Sequence, residues 1–330
     1  MIVGGAGYVG GWLADQALEA GHEVLVYDLL LYEDAYLKPV DFVYGDILDE
    51  ERLLPHIREA DVVVWLAALV GDGSCALDPQ LAHRINVDSV RWLASVYGGR
   101  IVFMSTCSVY GAQDGELTEE SRVNPLSVYA TTKLEAERVL EDKDSLVFRL
   151  GTLHGVGDTY SRLRVDLVVN TLTIRAALNA RMSVFGGRQY RPLLHVRDVG
   201  RAVVAALETS ERGLFNLSGE NATVLEIAEA VRAKVPDAEI DVSEQRFQDD
   251  RNYRVSAERA RERLGFSPEY TMEDGIEQVR TLILQGRVRD LTAPRFSNFH
   301  ALRPYLGQDA SPLGRELHTA HQLAPHRSVA

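Results

Sequence analysis

Short apolar runs alternate with amphipathic stretches along the first half of the chain. The apolar runs are residues 1–3, 23–28, 42–47, 61–68 and 100–105. The stretches between them carry apolar residues at helical spacing, near residues 11–20, 50–58, 79–97 and 129–140. Unbroken apolar runs suit strands that are covered on both faces. The alternation predicts an α/β fold with a doubly wound parallel sheet, whose ligand lies beyond the carboxyl ends of the strands.

Three regularly spaced glycines follow the first predicted strand. Gly4, Gly7 and Gly10 enclose Tyr8 and Val9 and lead into a predicted helix. Glycines at this spacing allow a tight turn, a close approach of the backbone to a pyrophosphate and close packing of the helix. The helix N-terminus adds amide donors and a partial positive charge. The pattern predicts a dinucleotide-binding turn, and the alternative is a glycine-rich turn without a ligand.

An acidic residue ends the second predicted strand. Asp28 lies roughly twenty residues beyond the glycines, where a carboxylate accepts hydrogen bonds from an adenosine ribose and repels a 2′-phosphate. This position favours NAD over NADP, and the alternative is that Asp28 only ends a strand. The third strand brings Asp46 and Ile47 to the same edge of the sheet, where an adenine would lie.

The next two strands bring small and hydroxyl-bearing residues to this edge. Leu66, Ala67 and Ala68 end the fourth strand, where small side chains leave room for a cofactor. The predicted helix over residues 79–97 carries Asn86. The fifth strand delivers three further residues, which are Thr106, Cys107 and Ser108.

Tyr129 and Lys133 are four residues apart at the start of a predicted helix, so they share one helical face. A free tyrosine has a pKa of about 10, and a fixed ammonium beside it favours the phenolate. Such a pair can serve as a base near neutral pH. A solvated helix face is the alternative for this pair taken alone.

Composition excludes several classes of protein. The 330 residues suffice for one large domain or two closely joined ones, and the 46% hydrophobic content is ordinary for a globular protein. A formal charge of −13 excludes a broad basic field for nucleic acid. Two cysteines and no long apolar span predict a reduced, cytoplasmic protein that does not span a membrane. The nine histidines lack a consistent ligand spacing, so no metal site is predicted.

The motifs occur in an order that resembles one family. They are the glycines at 4, 7 and 10, Asp28, Gly45-Asp46-Ile47, Ala67-Ala68, Ser105-Thr106, Tyr110-Gly111, Pro125, Tyr129, Lys133 and Arg149. From residue 1 to about 285, the chain resembles the extended short-chain dehydrogenases that modify nucleotide sugars, the NAD-dependent epimerase/dehydratase family.

The resemblance implies a domain organisation. A Rossmann-type NAD-binding domain would cover residues 1–150, with residues 186–215 returning to it. A smaller α/β region within 151–330 would bind the nucleotide sugar, followed by a loosely ordered tail after about 287. The helices near residues 89–97 and 128–140 could form the dimer bundle that is common in this family.

The resemblance also assigns roles at the reacting centre. Thr106 would hydrogen-bond the reacting sugar oxygen, Tyr129 would be the acid-base, and Lys133 would bind the nicotinamide ribose and lower the pKa of the tyrosine. In the family's 4,6-dehydratases the hydroxyl residue is followed by Asp-Glu, whereas Cys107 and Ser108 occupy those places here. Neither is a good general acid of that kind, which disfavours standard 4,6-dehydration. Cys107 is either a buried inert residue or a proton donor beside a keto group.

Further positions match the family's substrate-binding segments, namely Ser108, Thr152, Asn170, Val184, Phe185, Arg191 and Arg246. Arg246 is favoured as a phosphate-binding arginine, with Arg251 as the alternative. Arg162 and Arg164 are candidates for holding a diphosphate, because an acidic chain needs local arginines for that purpose; the alternative is solvated surface arginines. His195 and Asp198 are interpreted as residues that cap the following helix.

Three functions are compatible with these features. The leading hypothesis is a nucleotide-sugar 4-epimerase, because Asp28 favours NAD and the Asp-Glu pair is missing. The second is a 4-ketosugar reductase or an atypical dehydratase in secondary-metabolite sugar biosynthesis. The third is a non-catalytic NAD-binding regulator.

Overall fold

The computed structural model describes residues 1–243 and 251–303. The strands are β1 (Ile2–Val3), β2 (Leu25–Asp28), β3 (Asp41–Tyr44), β4 (Val62–Trp65), β5 (Arg100–Thr106), β6 (Ala112–Leu117), β7 (Ser145–Leu150), β8 (Thr152–His154), β9 (Arg181–Phe185), β10 (Tyr190–His195), β11 (Gly213–Leu217), β12 (Glu220–Thr223), β13 (Glu239–Ser243) and β14 (Asn252–Val255). The helices are α1 (Gly10–Glu19), α2 (Glu50–Glu59), α3 (Asp72–Leu77), α4 (Pro79–His83), α5 (Ser89–Val96), α6 (Val128–Leu140), α7 (Val168–Asn179), α8 (Val196–Leu207), α9 (Val224–Lys234), α10 (Glu258–Leu264), α11 (Met272–Leu284) and α12 (Asn298–Leu302). Within the described ranges, no helix is both long enough and apolar enough to cross a membrane.

The largest sheet among the described residues has seven parallel strands in the order β11-β7-β5-β4-β1-β2-β3. β1 pairs with β4 on one side and with β2 on the other, so the strand order reverses there. In such sheets a crevice opens beyond the carboxyl ends of the strands at the reversal. The prediction of a Rossmann-type doubly wound parallel sheet is confirmed.

Alternating side chains along β5 show how this sheet is covered on both faces. Ile101 and Phe103 join a cluster with residues of α2, α5 and α6. Val102 and Met104 point the other way and join residues of α1 and α8. Because successive strand residues face opposite sides, a strand between two helical layers is apolar at every position.

The second region has its own core and smaller sheets. A three-stranded sheet has the order β12-β10-β8, and β13 pairs with β9. Helices α7, α9 and α11 contribute apolar side chains to one buried cluster with β9 and β10. Asp198 accepts the amide hydrogens of Glu269 and Tyr270, and His195 Nδ1 accepts that of Arg197 at the start of α8. The interpretation of His195 as a cap of α8 is confirmed, whereas that of Asp198 is wrong, because Asp198 lies within α8 and binds the segment before α11 instead.

The chain returns to the large sheet later than the sequence indicates. β10 pairs with β8 and β12, so the return expected over residues 186–215 begins only at α8. Helix α8 packs against α1, and β11 then pairs with β7, with Gly213 beside Leu146. The smaller sheet satisfies the backbone of β10, and this is why that strand does not join the large sheet.

Two further expectations differ from the structure. The single helix predicted over residues 79–97 is interrupted by a π-helical turn, Arg84–Asp88, between α4 and α5. The loosely ordered tail expected after about residue 287 is wrong for residues 294–302, which form a 3₁₀ turn and α12. Leu302 is buried with Leu69 and Cys75, so this segment is held by apolar contacts as well as by polar ones.

Candidate functional site

A cavity of about 2440 Å³ lies beyond the carboxyl ends of β1, β2, β4, β5 and β7. Its lining comes from both the large sheet and the second region. Sites for single drug-sized ligands measure roughly 300 to 1,000 Å³. The volume therefore suffices for a dinucleotide and a nucleotide sugar together.

The glycine turn fits a dinucleotide position by position. Gly4 has φ +82°, and a Cβ there would overlap the backbone of Ala67. A Cβ on Gly10 would overlap the backbone of Gly5, so glycine at this position allows α1 to pack close to β1. At Gly7 the nearest atom to a Cβ is the Gly4 carbonyl oxygen, at 3.6 Å. Gly7 lines the cavity, so a side chain there would fill the space that a pyrophosphate needs.

Two carboxylates border the turn. Asp28 accepts the amide hydrogens of Ala6 (3.0 Å) and Leu30 (2.7 Å), which fixes it beside the glycine loop. Burial raises the pKa of Asp28, although these amide hydrogen bonds lower it. Asp46 accepts from the Leu48 amide at 2.9 Å and lines the cavity with Ile47. Donors and acceptors at this end fit the ribose and adenine of NAD.

Asn86 supports the cavity wall without facing the cavity. Its Oδ1 accepts the Leu69 amide hydrogen at 2.8 Å, and its Nδ2 donates to the Leu69 carbonyl and to Thr132 Oγ1. Leu66, Ala67 and Ala68 line the cavity as predicted, whereas Asn86 is absent from the lining. In this structure the Asn86 amide binds the loop after β4, and its direct cofactor contact stays a prediction.

Thr106, Tyr129 and Lys133 line the centre of the cavity. Thr106 Oγ1 donates to Ser108 Oγ at 3.1 Å, and Thr106 lies near enough to Tyr129 to lower the pKa of its phenol. Burial raises the pKa of the Tyr129 phenol above its ordinary value, with contributions of the same sign from Cys75 and Asp72. Burial lowers the pKa of Lys133 to about 8. Two hydroxyls and an amine thus line the same part of the cavity, where a sugar alcohol could reach the hydroxyls.

The expected effect of Lys133 on the phenol is wrong in this structure. Lys133 Nζ donates to the Met104 carbonyl at 2.8 Å and lies 4.6 Å from the centre of the Phe103 ring. The ammonium is thus directed beneath α6 towards β5. The pKa of the phenol is governed by burial, and Arg164 is the cation that lowers it.

Cys107 does not face the cavity. It is 1% exposed, and its Sγ donates to the Arg149 carbonyl at 3.2 Å. Burial raises the pKa of the thiol far above its ordinary value. The catalytic alternative for Cys107 is therefore wrong in this structure, because the residue after Thr106 turns to the opposite side.

Sequence reasoning missed Asp72. It lines the cavity at the start of α3, accepts from Ser127 Oγ at 2.6 Å and forms an ion pair with Arg251 at 3.3 Å. Arg251 also donates to Ser108 Oγ at 3.2 Å. The sequence feature that could have identified Asp72 is its place between Gly71 and Gly73, just after the fourth strand, at the edge of the sheet where ligands bind.

Most of the predicted substrate residues line the second region's side of the cavity. Those in the lining are Ser108, Thr152, Val184, Phe185 and Arg191. Asn170 is fully buried, and its amide bonds Gly155 and the Arg164 carbonyl, so its predicted diphosphate contact stays a prediction. Arg246 lies outside the described residues.

Arg162 and Arg164 differ although both line the cavity. Arg162 donates to the Arg295 carbonyl and to Asn298 Oδ1, and its guanidinium stacks 4.0 Å from the centre of the Tyr32 ring. Arg164 pairs with Asp166 at 2.6 Å. The structure therefore uses Arg162 as an anchor, while Arg164 keeps donors that can reach a ligand.

Charge divides the cavity into two ends. Acidic side chains surround the adenine side, namely Asp28, Glu33, Asp46, Asp49, Glu50 and Glu51. Arginines surround the second region's side, namely Arg162, Arg164, Arg175, Arg191 and Arg251. Asp72 and Asp166 lie at this second end, each paired with an arginine. An anionic ligand is therefore favoured at the arginine-rich end.

Comparisons with known proteins agree with this geometry. The model of the NAD dependent epimerase/dehydratase family matches residues 1–218. The UDP-glucose 4-epimerase of Rhizobium meliloti (strain 1021) is 30% identical in a 306-residue alignment that covers 82% of this chain and 93% of that protein. The solved structure of MoeE5 in complex with UDP-glucose and NAD is 26% identical with a TM-score of 0.75, and the match covers 87% of this chain and 99% of that one.

Similar proteins do not share one reaction. UDP-glucuronic acid decarboxylase 1 of Arabidopsis thaliana is 26% identical in a 296-residue alignment that covers 84% of this chain and 68% of that protein. The similarity therefore indicates nucleotide-sugar chemistry without choosing among epimerisation, decarboxylation and dehydration.

Proposed function

Because the chain belongs to the NAD dependent epimerase/dehydratase family, we propose that it is a nucleotide-sugar 4-epimerase that acts through a transient 4-keto sugar. Membership confirms the resemblance drawn from the motifs, the assignment as an enzyme and NAD as cofactor. The reaction itself rests on one observation. The Thr106 and Tyr129 hydroxyls line one cavity with Lys133, on a chain in which Cys107 and Ser108 stand where the family's 4,6-dehydratases have Asp-Glu.

The chain's own residues would hold NAD at the acidic end. Gly7 admits the pyrophosphate, Asp28 binds the adenosine ribose, and Asp46 with Ile47 borders the adenine. Bound NAD supplies a reversible hydride acceptor. Lys133, at the centre of the cavity, would bind the nicotinamide ribose.

Tyr129 would take the proton of the C4 hydroxyl while Thr106 holds that oxygen, and the C4 hydride leaves at the same time. After the ketone turns within the site, hydride and proton return to the opposite face, so the reaction is redox-neutral. Burial keeps most of the phenol protonated near neutral pH. We therefore expect the first half-reaction to accelerate as pH rises above 7, because the phenolate fraction grows.

The substrate would be a nucleoside diphosphate sugar. Val184 and Phe185 would pack the base, while Arg164 and Arg191 would hold the diphosphate, consistent with the arginine-rich end of the cavity. Ser108 and Thr152 offer hydroxyls to the sugar. The named substrate of the Rhizobium meliloti relative makes UDP-glucose the first candidate.

NMR of C4 configuration after incubation with UDP-hexoses and other NDP-hexoses tests the reaction. Tyr129→Phe should lower kcat roughly 10² to 10⁴-fold, the range for loss of a general acid-base. Tyr160→Phe is the matched control, because Tyr160 is exposed and lies outside the cavity lining. Absence of a C4 epimer from every sugar, or full activity of Tyr129→Phe, would contradict the proposal.

An atypical dehydratase or 4-ketosugar reductase is the second candidate. The Asp72 carboxylate favours the dehydratase, because it brings an acid to the cavity from outside the Thr106 segment. A dehydratase produces a new alkene or a deoxy sugar, and a reductase consumes NADH with a keto sugar. Absorbance near 340 nm during turnover separates a reductase from an epimerase, because it falls for the reductase and stays constant for the epimerase.

We propose a homodimer formed through α5 and α6, which lie side by side. A four-helix bundle of these helices and their copies would bury the partly covered side chain of Trp92. Light scattering of the purified protein checks this, and a monomeric mass at micromolar concentration would contradict it.

A further inference from the structure

A short segment near the end of the described chain contributes to the wall of the cavity. We call residues 294–302 the strap; it comprises the 3₁₀ turn Pro294–Phe296 and α12. Ser297, Asn298 and Phe299 line the cavity. The strap lies beyond residues 1–218, which the family model matches.

The strap is fastened to the cofactor end by Arg295. Its guanidinium pairs with Glu33 at 2.9 Å and with Asp34 at 3.1 Å. Glu33 follows Asp28 on the loop after β2, and its side chain is only 6% exposed. Residues 29–33 line the cavity, so Arg295 holds the loop beside the expected adenosine ribose.

The strap is also fastened to the nucleotide-sugar end. Arg162 donates to the Arg295 carbonyl at 2.7 Å and to Asn298 Oδ1. Asp166 accepts the Asn298 amide hydrogen at 2.8 Å. Because Glu33 also accepts the Arg162 amide hydrogen at 2.6 Å, the two ends of the cavity meet at the strap.

A third attachment joins the strap to the loop after β4. Asn298 Nδ2 donates to the Val70 carbonyl at 2.9 Å. The Phe299 ring packs on Gly73, next to Asp72, and a Cβ on Gly73 would lie 3.2 Å from the ring. Three loops that border the cavity are thus connected through one segment.

We propose that Arg295 is a positioning residue that, through the strap, retains NAD and the 4-keto sugar in the site between the two half-reactions. The retention of the ketone rests on the proposed function, since only a recycling enzyme must return the hydride to the same molecule. The retention of NAD does not depend on the reaction. Lifting the loop after β2 requires the Arg295–Glu33 pair to break, and Glu33 would then lose its charged partner.

Displacement of bound NADH tests the proposal without any sugar. The full-length protein is loaded with NADH and mixed with excess NAD, and the loss of protein-bound NADH fluorescence gives the dissociation rate. Arg295→Ala should accelerate dissociation at least about 10-fold, as expected when a charge-assisted hydrogen bond to a nearly buried carboxylate is lost. Arg289→Ala is the matched control, because Arg289 is exposed and precedes the strap by a few residues. Equal rates for Arg295→Ala and the parent protein would overturn the proposal.

Salt and a second variant separate this role from a general loss of structure. Dissociation from the parent protein should accelerate with ionic strength, and Arg295→Ala should lose most of that dependence. Glu33→Gln keeps an acceptor for the Arg162 amide but removes the charge, so it should match Arg295→Ala, and the double variant should be no faster than either single one. Additive effects would contradict a shared ion pair. If Arg295→Ala fails to fold, Glu33→Gln and the salt dependence still decide.

A separate measurement addresses the ketone. With a substrate that the enzyme epimerises, Arg295→Ala should release a keto sugar that borotritide traps in solution, whereas Arg289→Ala should not. Faster NADH dissociation without released ketone would leave Arg295 a role in retaining the cofactor alone and overturn the ketone part. A protein without epimerase activity would contradict the proposed function while the NADH measurement still decides the role of Arg295.

Discussion

The two ends of the cavity are built in different ways. At the cofactor end, short strands finish at one edge of the sheet, and local hydrogen bonds such as that from the Leu30 amide to Asp28 complete the site. At the nucleotide-sugar end, contacts join residues far apart in the chain, such as Arg162 with Asn298 and Ser108 with Arg251. The first arrangement follows from strand geometry, and the second depends on which distant loops meet.

The difference shows that a residue's type can be right while its partner is unforeseen. Arg162 and Arg164 have equal claims as phosphate ligands in the sequence. Only the structure shows that the strap engages Arg162, whereas Arg164 pairs with a neighbouring carboxylate. The role of an arginine at the nucleotide-sugar end therefore has to be assigned from the residues that it contacts.

The largest expected effect concerns a buried ion pair between α6 and β7. Arg149 and Glu137 form a buried pair, with Nε at 3.0 Å and Nη2 at 2.6 Å from the carboxylate. Arg149→Met should lower the free energy of unfolding by about 3 to 5 kcal/mol, because it leaves a buried carboxylate without its partner. Urea denaturation measures this. The double variant Arg149→Met with Glu137→Met should be far less destabilised, and equal destabilisation would contradict the explanation.

The next effect concerns Lys133, which lies at the centre of the cavity. Its folded pKa of about 8 lies below the ordinary lysine value of 10.5. Between these values the unfolded chain binds more protons, so this group makes stability rise with pH from about 8 to 10.5, by on the order of 3 kcal/mol. Denaturation of the parent protein and Lys133→Met at pH 7 and pH 10 measures the difference. A constant gap between the two proteins would contradict the lowered pKa.

A smaller effect separates two glycines of the cofactor end. Gly10→Ala should cost about 1 to 3 kcal/mol of stability, because its Cβ would overlap the Gly5 backbone. Gly7→Ala should leave stability within about 1 kcal/mol, yet weaken NAD binding, since its Cβ points into the open cavity. Thermal unfolding and NADH titration of both variants test this. Equal stability losses would show that the turn tolerates a side chain at neither Gly7 nor Gly10, and would contradict the expected difference.

The smallest effect applies the same comparison to the other end. Arg162→Met should lower stability by about 1 to 2 kcal/mol, because Asn298 and the Arg295 carbonyl lose a charged donor. Arg164→Met should change stability less but raise KM for the nucleotide sugar about tenfold. Melting curves and steady-state kinetics distinguish the two. A larger KM change for Arg162→Met than for Arg164→Met would reverse our assignment.

The cofactor end could be predicted because backbone geometry restricts its residue types. A turn with positive φ requires glycine at position 4, and parallel strands bring Asp28, Asp46 and Ala67 to one edge. Alternation could also have indicated the orientation of Cys107, which follows the cavity-facing Thr106 at the end of a strand. The two-residue period of a strand places successive side chains on opposite faces of the sheet.

The strap and Asp72 could not be predicted in this way. Residues 294–302 are too short for a clear period, and their partners are separated from them by more than a hundred positions. Asp72 lies in a glycine-flanked loop whose direction is set by Ser127 and Arg251. Long-range ion pairs of this kind leave no repeat in the sequence, because either partner is also compatible with solvent.

The position of β11 at the edge of the large sheet has a consequence for synthesis of the protein. β7 has β5 on one side, and its other side stays unpaired until residues 213–217 have left the ribosome. At about 5 to 20 residues per second, the nascent chain exposes this apolar edge for several seconds while the second region is made. A fragment ending at residue 150 would keep that edge exposed permanently, so the cofactor-binding half should aggregate when it is expressed alone.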